Sequence, residues 1–108
     1  MEKITLIKPD DWHLHLRGSG AMKSVVDMSA LQMGRGVIMP NLSPPIINVS
    51  RALTYRAEIM NALPKETTFN PLMVLYLTDV TTKNEIIEAS KAPEIHAVKL
   101  YPAGATTN

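Results

Sequence analysis

Apolar and polar positions along the chain fall into short blocks that change period several times. Residues 4–8, ITLIK, alternate and are β-branched in part, and Pro9 closes them; this predicts a short strand. Residues 12–16, WHLHL, alternate again and predict a second. In residues 21–33 the apolar positions are 22, 25, 26, 30 and 33, the spacing of one helix face, and Gly34 follows where a helix would end. GVIMP, residues 36–40, is an unbroken apolar run, the mark of a strand buried on both faces. NLSPPI is a loop, because two prolines suit neither a helix interior nor a central strand. Residues 50–63 predict a helix closed by Pro64, and PLMVLYL, residues 71–77, another buried strand. Thr82 and Glu85 have the spacing of a capping box and open a short helix over 84–92. Residues 96–102, HAVKLYP, form the last strand, followed by the loop AGATTN.

Strands alternating with helices imply a parallel sheet joined by right-handed crossovers. The predicted fold class is therefore α/β, with four principal parallel strands and three helices. Asp10 and Asp11, before the second strand, read as turn residues.

Composition narrows the function classes. The chain has 108 residues, 45% of them hydrophobic and 19% charged, which suits a globular protein. Its formal net charge is +1, so no nucleic-acid or anionic membrane partner is expected. Cysteine is absent, so any metal must be held by nitrogen or oxygen. No apolar run has the length of a signal peptide core or a membrane span, and the expected location is the cytoplasm.

Two of the three histidines lie one residue apart, and this is the first candidate for chemistry. In a strand, residues i and i+2 share a face about 6.5–7 Å apart, so His13 and His15 point together and Leu14 and Leu16 point away. Two imidazoles so placed can close on one metal ion; a polar strand face open to solvent is the other reading. Arg17 continues their face if the strand reaches it, and its fork suits a carboxylate. Lys99 is the second candidate. It lies between Val98 and Leu100 at the end of an apolar strand, where a buried ammonium must lower its pKa, find a partner or extend past the strand end. Asn41 follows GVIMP at a strand exit, the edge where ligands bind in such folds, and also reads as a turn residue. His96 reads as structural or exposed.

Four stretches, PDDWHLHLR, MPNL with its following PP, PLMVLYLTD and KLYPAGATTN, taken in this order, resemble the dihydroorotase family of the amidohydrolase superfamily. The resemblance runs through nearly the whole chain. It implies a (β/α)₈ barrel of which residues 1–108 would be the N-terminal half, with four strands and three helices. It further implies two zinc ions, with His13 and His15 as ligands of the more buried one and a carboxylated Lys99 bridging both. Arg17 and Asn41 would hold the substrate carboxylate, and Thr106 and Thr107 would close over it. The implied reaction is the reversible cyclisation of N-carbamoyl-L-aspartate to L-dihydroorotate in pyrimidine synthesis, the metals polarising the ring amide. Two positions depart from the family: Gly18 stands where an acidic residue is usual, and Gly104 where Asn is frequent.

The remaining ligands and the proton-shuttling aspartate of the family would lie beyond Asn108. The 108 residues alone are therefore expected to be inactive and to hold zinc weakly or not at all. A half-barrel also has two open sheet edges and an uncovered inner face, which implies a homo-oligomer. The competing readings are a stand-alone, non-catalytic half-barrel module for assembly or metal binding, and half of another amidohydrolase assembled from two chains.

Overall fold

A computed structural model describes residues 1–102. Its elements are β1 (Asp10–Leu14), a 3₁₀ turn (Ser19–Ala21), α1 (Met22–Gln32), β2 (Arg35–Ile38), α2 (Val49–Ala62), β3 (Asn70–Tyr76), α3 (Lys83–Lys91) and β4 (Ile95–Lys99). The four strands form one sheet in the order β1-β2-β3-β4, and every neighbouring pair is parallel. The parallel α/β sheet with three helices predicted from the alternation is thus the observed one.

Local chemistry explains the helix starts. At α3 the Thr82 hydroxyl accepts from the Glu85 amide at 3.2 Å, and the Glu85 carboxylate accepts from the Thr82 amide at 2.7 Å. The Asn48 side chain caps α2 by accepting from the Arg51 amide at 2.9 Å.

The main core lies between the sheet and the helices. Leu14, Leu16, Ile38, Met73 and Leu75 face Val26, Ala30, Ala52, Tyr55 and Ile59 there. A smaller cluster of Val37, Met39 and Val74 lies apart from it, with Leu72 packed alongside. These apolar groups were expected to lie bare on the inner face. Val37, Met39 and Val74 are instead buried, and Leu72 partly so.

Three expectations need correction. Residues 4–8 form no strand: no neighbouring strand pairs with them, and Ile4, Leu6 and Ile7 are exposed. Asp10 and Asp11 are not turn residues but open β1, paired with Arg35 and Gly36. β1 ends at Leu14, so His15 and Arg17 lie beyond it; Arg17 adopts a left-handed φ of 58°, which turns the chain out of the strand direction.

Gly36 shows how closely the layers approach. A Cβ there would lie 2.8 Å from Phe69 Cζ and 2.9 Å from Leu14 Cδ2, both buried side chains. The leucine could turn, but the phenylalanine ring is rigid. Gly36→Ala is expected to lower stability by about 1–3 kcal/mol through overpacking. Urea denaturation measures this, and an unchanged midpoint would show that the ring can give way.

Candidate functional site

The candidate residues gather at the carboxyl ends of the strands. His13 lies in β1 and His15 just after it; Asn41 follows β2 by three residues; Lys99 is the last residue of β4. The loop after β2 folds tightly at its start, with Ile46 N–H donating to the Pro40 carbonyl at 3.1 Å. Asn41 is held there at only 2% exposure.

The two imidazoles converge as strand parity requires. Their Nε2 atoms are 3.1 Å apart and their ring centroids 5.1 Å. His13 is exposed and His15 partly buried. Burial lowers the His15 pKa below its usual value, and the positive charge of Arg17, then of His13 and Lys99, lowers it further. Neutral imidazole, the form that binds metal, is therefore favoured at His15.

Lys99 neither stands alone nor simply extends into solvent. Its ammonium donates to Asn41 Oδ1 at 2.6 Å and lies 4.9 Å from the centre of the Tyr101 ring. Burial lowers its pKa. A turn residue would not need to be buried, so the turn reading of Asn41 accounts for its place in the chain but not for this contact.

Arg17 and Asn41 line a cavity of about 530 Å³ together with Ser43, Arg51, Tyr55 and Glu58. Neither histidine nor Lys99 lines it. The structure thus shows two adjoining regions, a histidine–lysine region and an arginine-bearing cavity, with Asn41 common to both. Thr106 and Thr107 lie outside the described residues. Among the described residues no three His, Asp or Glu side chains gather as a metal-binding group.

Sequence reasoning missed several neighbours. Tyr55 donates from its hydroxyl to the Arg17 carbonyl at 2.9 Å and so pins the left-handed turn. Burial, with Glu58 adding and Arg17 opposing, pushes the Tyr55 pKa up to about 12. The folded state resists ionising this phenol, so stability from Tyr55 is intact below its ordinary value of 10.0 and is lost as the pH rises toward about 12. Tyr55→Phe should flatten that alkaline loss and cost about 1 kcal/mol at neutral pH. Thermal melts at pH 7 and pH 11 read both effects, and identical pH dependence in the two proteins would contradict the assignment. His96 is exposed but stacks on Trp12 with centroids 5.8 Å apart, and Arg35 lies over the same indole while pairing with Asp10. Contacts between strands so far apart in sequence leave no periodic signal.

No family model matches the chain. Individual proteins do, over its whole length. It is 58% identical over 108 residues to the dihydroorotase of Neisseria meningitidis serogroup C (strain 053442) and 53% identical over 108 residues to that of Halorhodospira halophila. Over its whole length the chain is thus similar in sequence to dihydroorotases. It spans 31% of the length of each of these two relatives. Solved dihydroorotase structures share the backbone as well. That from Campylobacter jejuni superposes with a TM-score of 0.83 at 39% identity, covering 94% of this chain and 29% of that one. The Saccharomyces cerevisiae enzyme, solved with 5-fluoroorotic acid, gives 0.82 at 34% identity, covering 92% and 27%. The four parallel strands and three helices are thus those of a dihydroorotase barrel.

Proposed function

We propose that this chain is the N-terminal part of a zinc-dependent dihydroorotase, which interconverts N-carbamoyl-L-aspartate and L-dihydroorotate. The observation that carries the metal reading is the convergence of His13 and His15. Two nitrogens bound tetrahedrally to one zinc at about 2.0–2.1 Å lie about 3.3 Å apart, so the observed 3.1 Å needs to open by only a few tenths of an ångström. The two histidines supply part of a four-coordinate set, and Lys99 would complete the contribution of this chain after taking up carbon dioxide. Zinc, when bound, supplies Lewis-acid polarisation of the scissile amide and activates water near neutral pH.

The residues of this chain bind and orient. Arg17 offers a guanidinium to the substrate carboxylate, and Asn41 lies beside it, where its amide can serve both the cavity and Lys99. Thr106 and Thr107 would close over the bound substrate. The low pKa of His15 keeps a lone pair available without competition from a proton. The two open edges of the sheet, at β1 and β4, support pairing with further strands of the complete barrel or, for the 108 residues alone, with a second copy. The alternative, a non-catalytic assembly module, has no such specific support.

The complete protein should interconvert the two compounds, lose that activity to a chelator and regain it with zinc. Absence of turnover in the zinc-loaded complete protein would overturn the reading. The 108-residue chain alone should show no turnover, since loss of acid–base help by itself costs about 10²- to 10⁴-fold. Zinc-dependent turnover by that short chain would show that its own residues suffice.

A further inference from the structure

We propose that Asp11 is a positioning residue for the histidine pair: its carboxylate pins a bulge in β1 that turns His13 and His15 away from the helices. The register shows the bulge. Asp11 pairs with Gly36 and Leu14 with Ile38, so three steps along β1 match two along β2. Gly36 and Ile38 are two apart and face the helix layer; a Cβ on Gly36 would meet Phe69 and Leu14, and Ile38 lies in the main core. Asp11 and Leu14 therefore share a face although they are three residues apart. In an unbroken strand Asp11, His13 and His15 would share that face, and both imidazoles would point into the apolar core. The extra residue reverses the alternation: Leu14 and Leu16 enter the core and the histidines leave it.

The reversal has a local clasp. The His13 amide donates to Asp11 Oδ1 at 3.0 Å, spanning the stretch the register skips. A carboxylate accepting from an amide two residues on is a strong local substitute for ladder pairing. Asp11 belongs neither to the metal ligands nor to the cavity; it acts through the backbone of His13.

The zinc part of the test rests on the proposed function, whereas the exchange part does not. In the metal-free complete protein labelled with ¹⁵N-histidine, the His13 amide should exchange with solvent roughly tenfold faster in Asp11→Ala than in the wild type. Asp11→Asn keeps an acceptor oxygen and should restore most of the protection. In the zinc-loaded protein, Asp11→Ala should weaken zinc binding about 10- to 100-fold, the effect typical of groups that orient a ligand. Asp11→Asn should fall much less, and the cobalt-substituted spectrum should shift in the alanine variant alone. Unchanged His13 exchange in Asp11→Ala, or asparagine failing as badly as alanine, overturns the proposal. Should Asp11→Ala not fold, Asp11→Asn against Asp11→Leu at low temperature gives the same comparison. If the wild type binds no zinc while the exchange result holds, the functional reading fails and the positioning role stands.

Discussion

On the proposed function, replacing His15 with alanine in the complete protein is expected to lower kcat/KM for L-dihydroorotate by roughly 10³-fold or more, about 4 kcal/mol of transition-state stabilisation. The reason lies in the site's geometry. The two Nε2 atoms already stand 3.1 Å apart, and removing one leaves a single imidazole on this stretch of chain. A catalytic zinc held by three protein ligands tolerates the loss of one poorly. The half-exposed setting of His15 outside β1 means that the fold should survive, so circular dichroism and the melting temperature should change little while zinc content drops. A variant with normal zinc content and near-normal turnover would remove His15 from the metal site.

Ile38→Ala in the complete protein costs about 2–5 kcal/mol of stability. Ile38 is fully buried and lies opposite both Leu14 and Met73 in the sheet, with the helix layer on its side. Its neighbours are held by parallel pairing on two sides and cannot collapse freely into the cavity. The loss is a large share of the roughly 5–15 kcal/mol that stabilises an ordinary domain. Guanidinium denaturation measures it. A loss under about 1 kcal/mol would mean that the β2 core repacks, and that the main cluster is not the unit described above.

The strands and helices could be read from the sequence wherever one period or one apolar run decided the matter. GVIMP is buried throughout and PLMVLYL buried or half-buried along its length, and Thr82 with Glu85 marks a helix start by chemistry alone. Residues 4–8 carry the same alternation, yet form no strand, because pairing depends on a neighbour that their own pattern does not specify. The convergence of His13 and His15 was legible from strand parity. So was their face, opposite the buried Leu14 and Leu16, whereas the bulge between Asp11 and Leu14 was not, since it appears only when β1 is set against β2. Asp11 looked like a turn residue because it precedes the alternating run that starts at Trp12. Lys99 could be marked as anomalous among apolar neighbours, but its partner is 58 positions away in the chain and no local pattern links it to Asn41. The family resemblance supplied the ligand roles, while the contacts with Tyr55, Trp12 and Arg35 required the folded chain.

Anomalous scattering at the zinc edge from crystals of the complete protein is the most direct measurement of the central claim. A zinc peak is expected about 2.0–2.1 Å from Nε2 of both His13 and His15. A second zinc should be joined to the first through the modified Lys99 side chain. A fully zinc-supplied crystal with no anomalous density between the two imidazoles would contradict it.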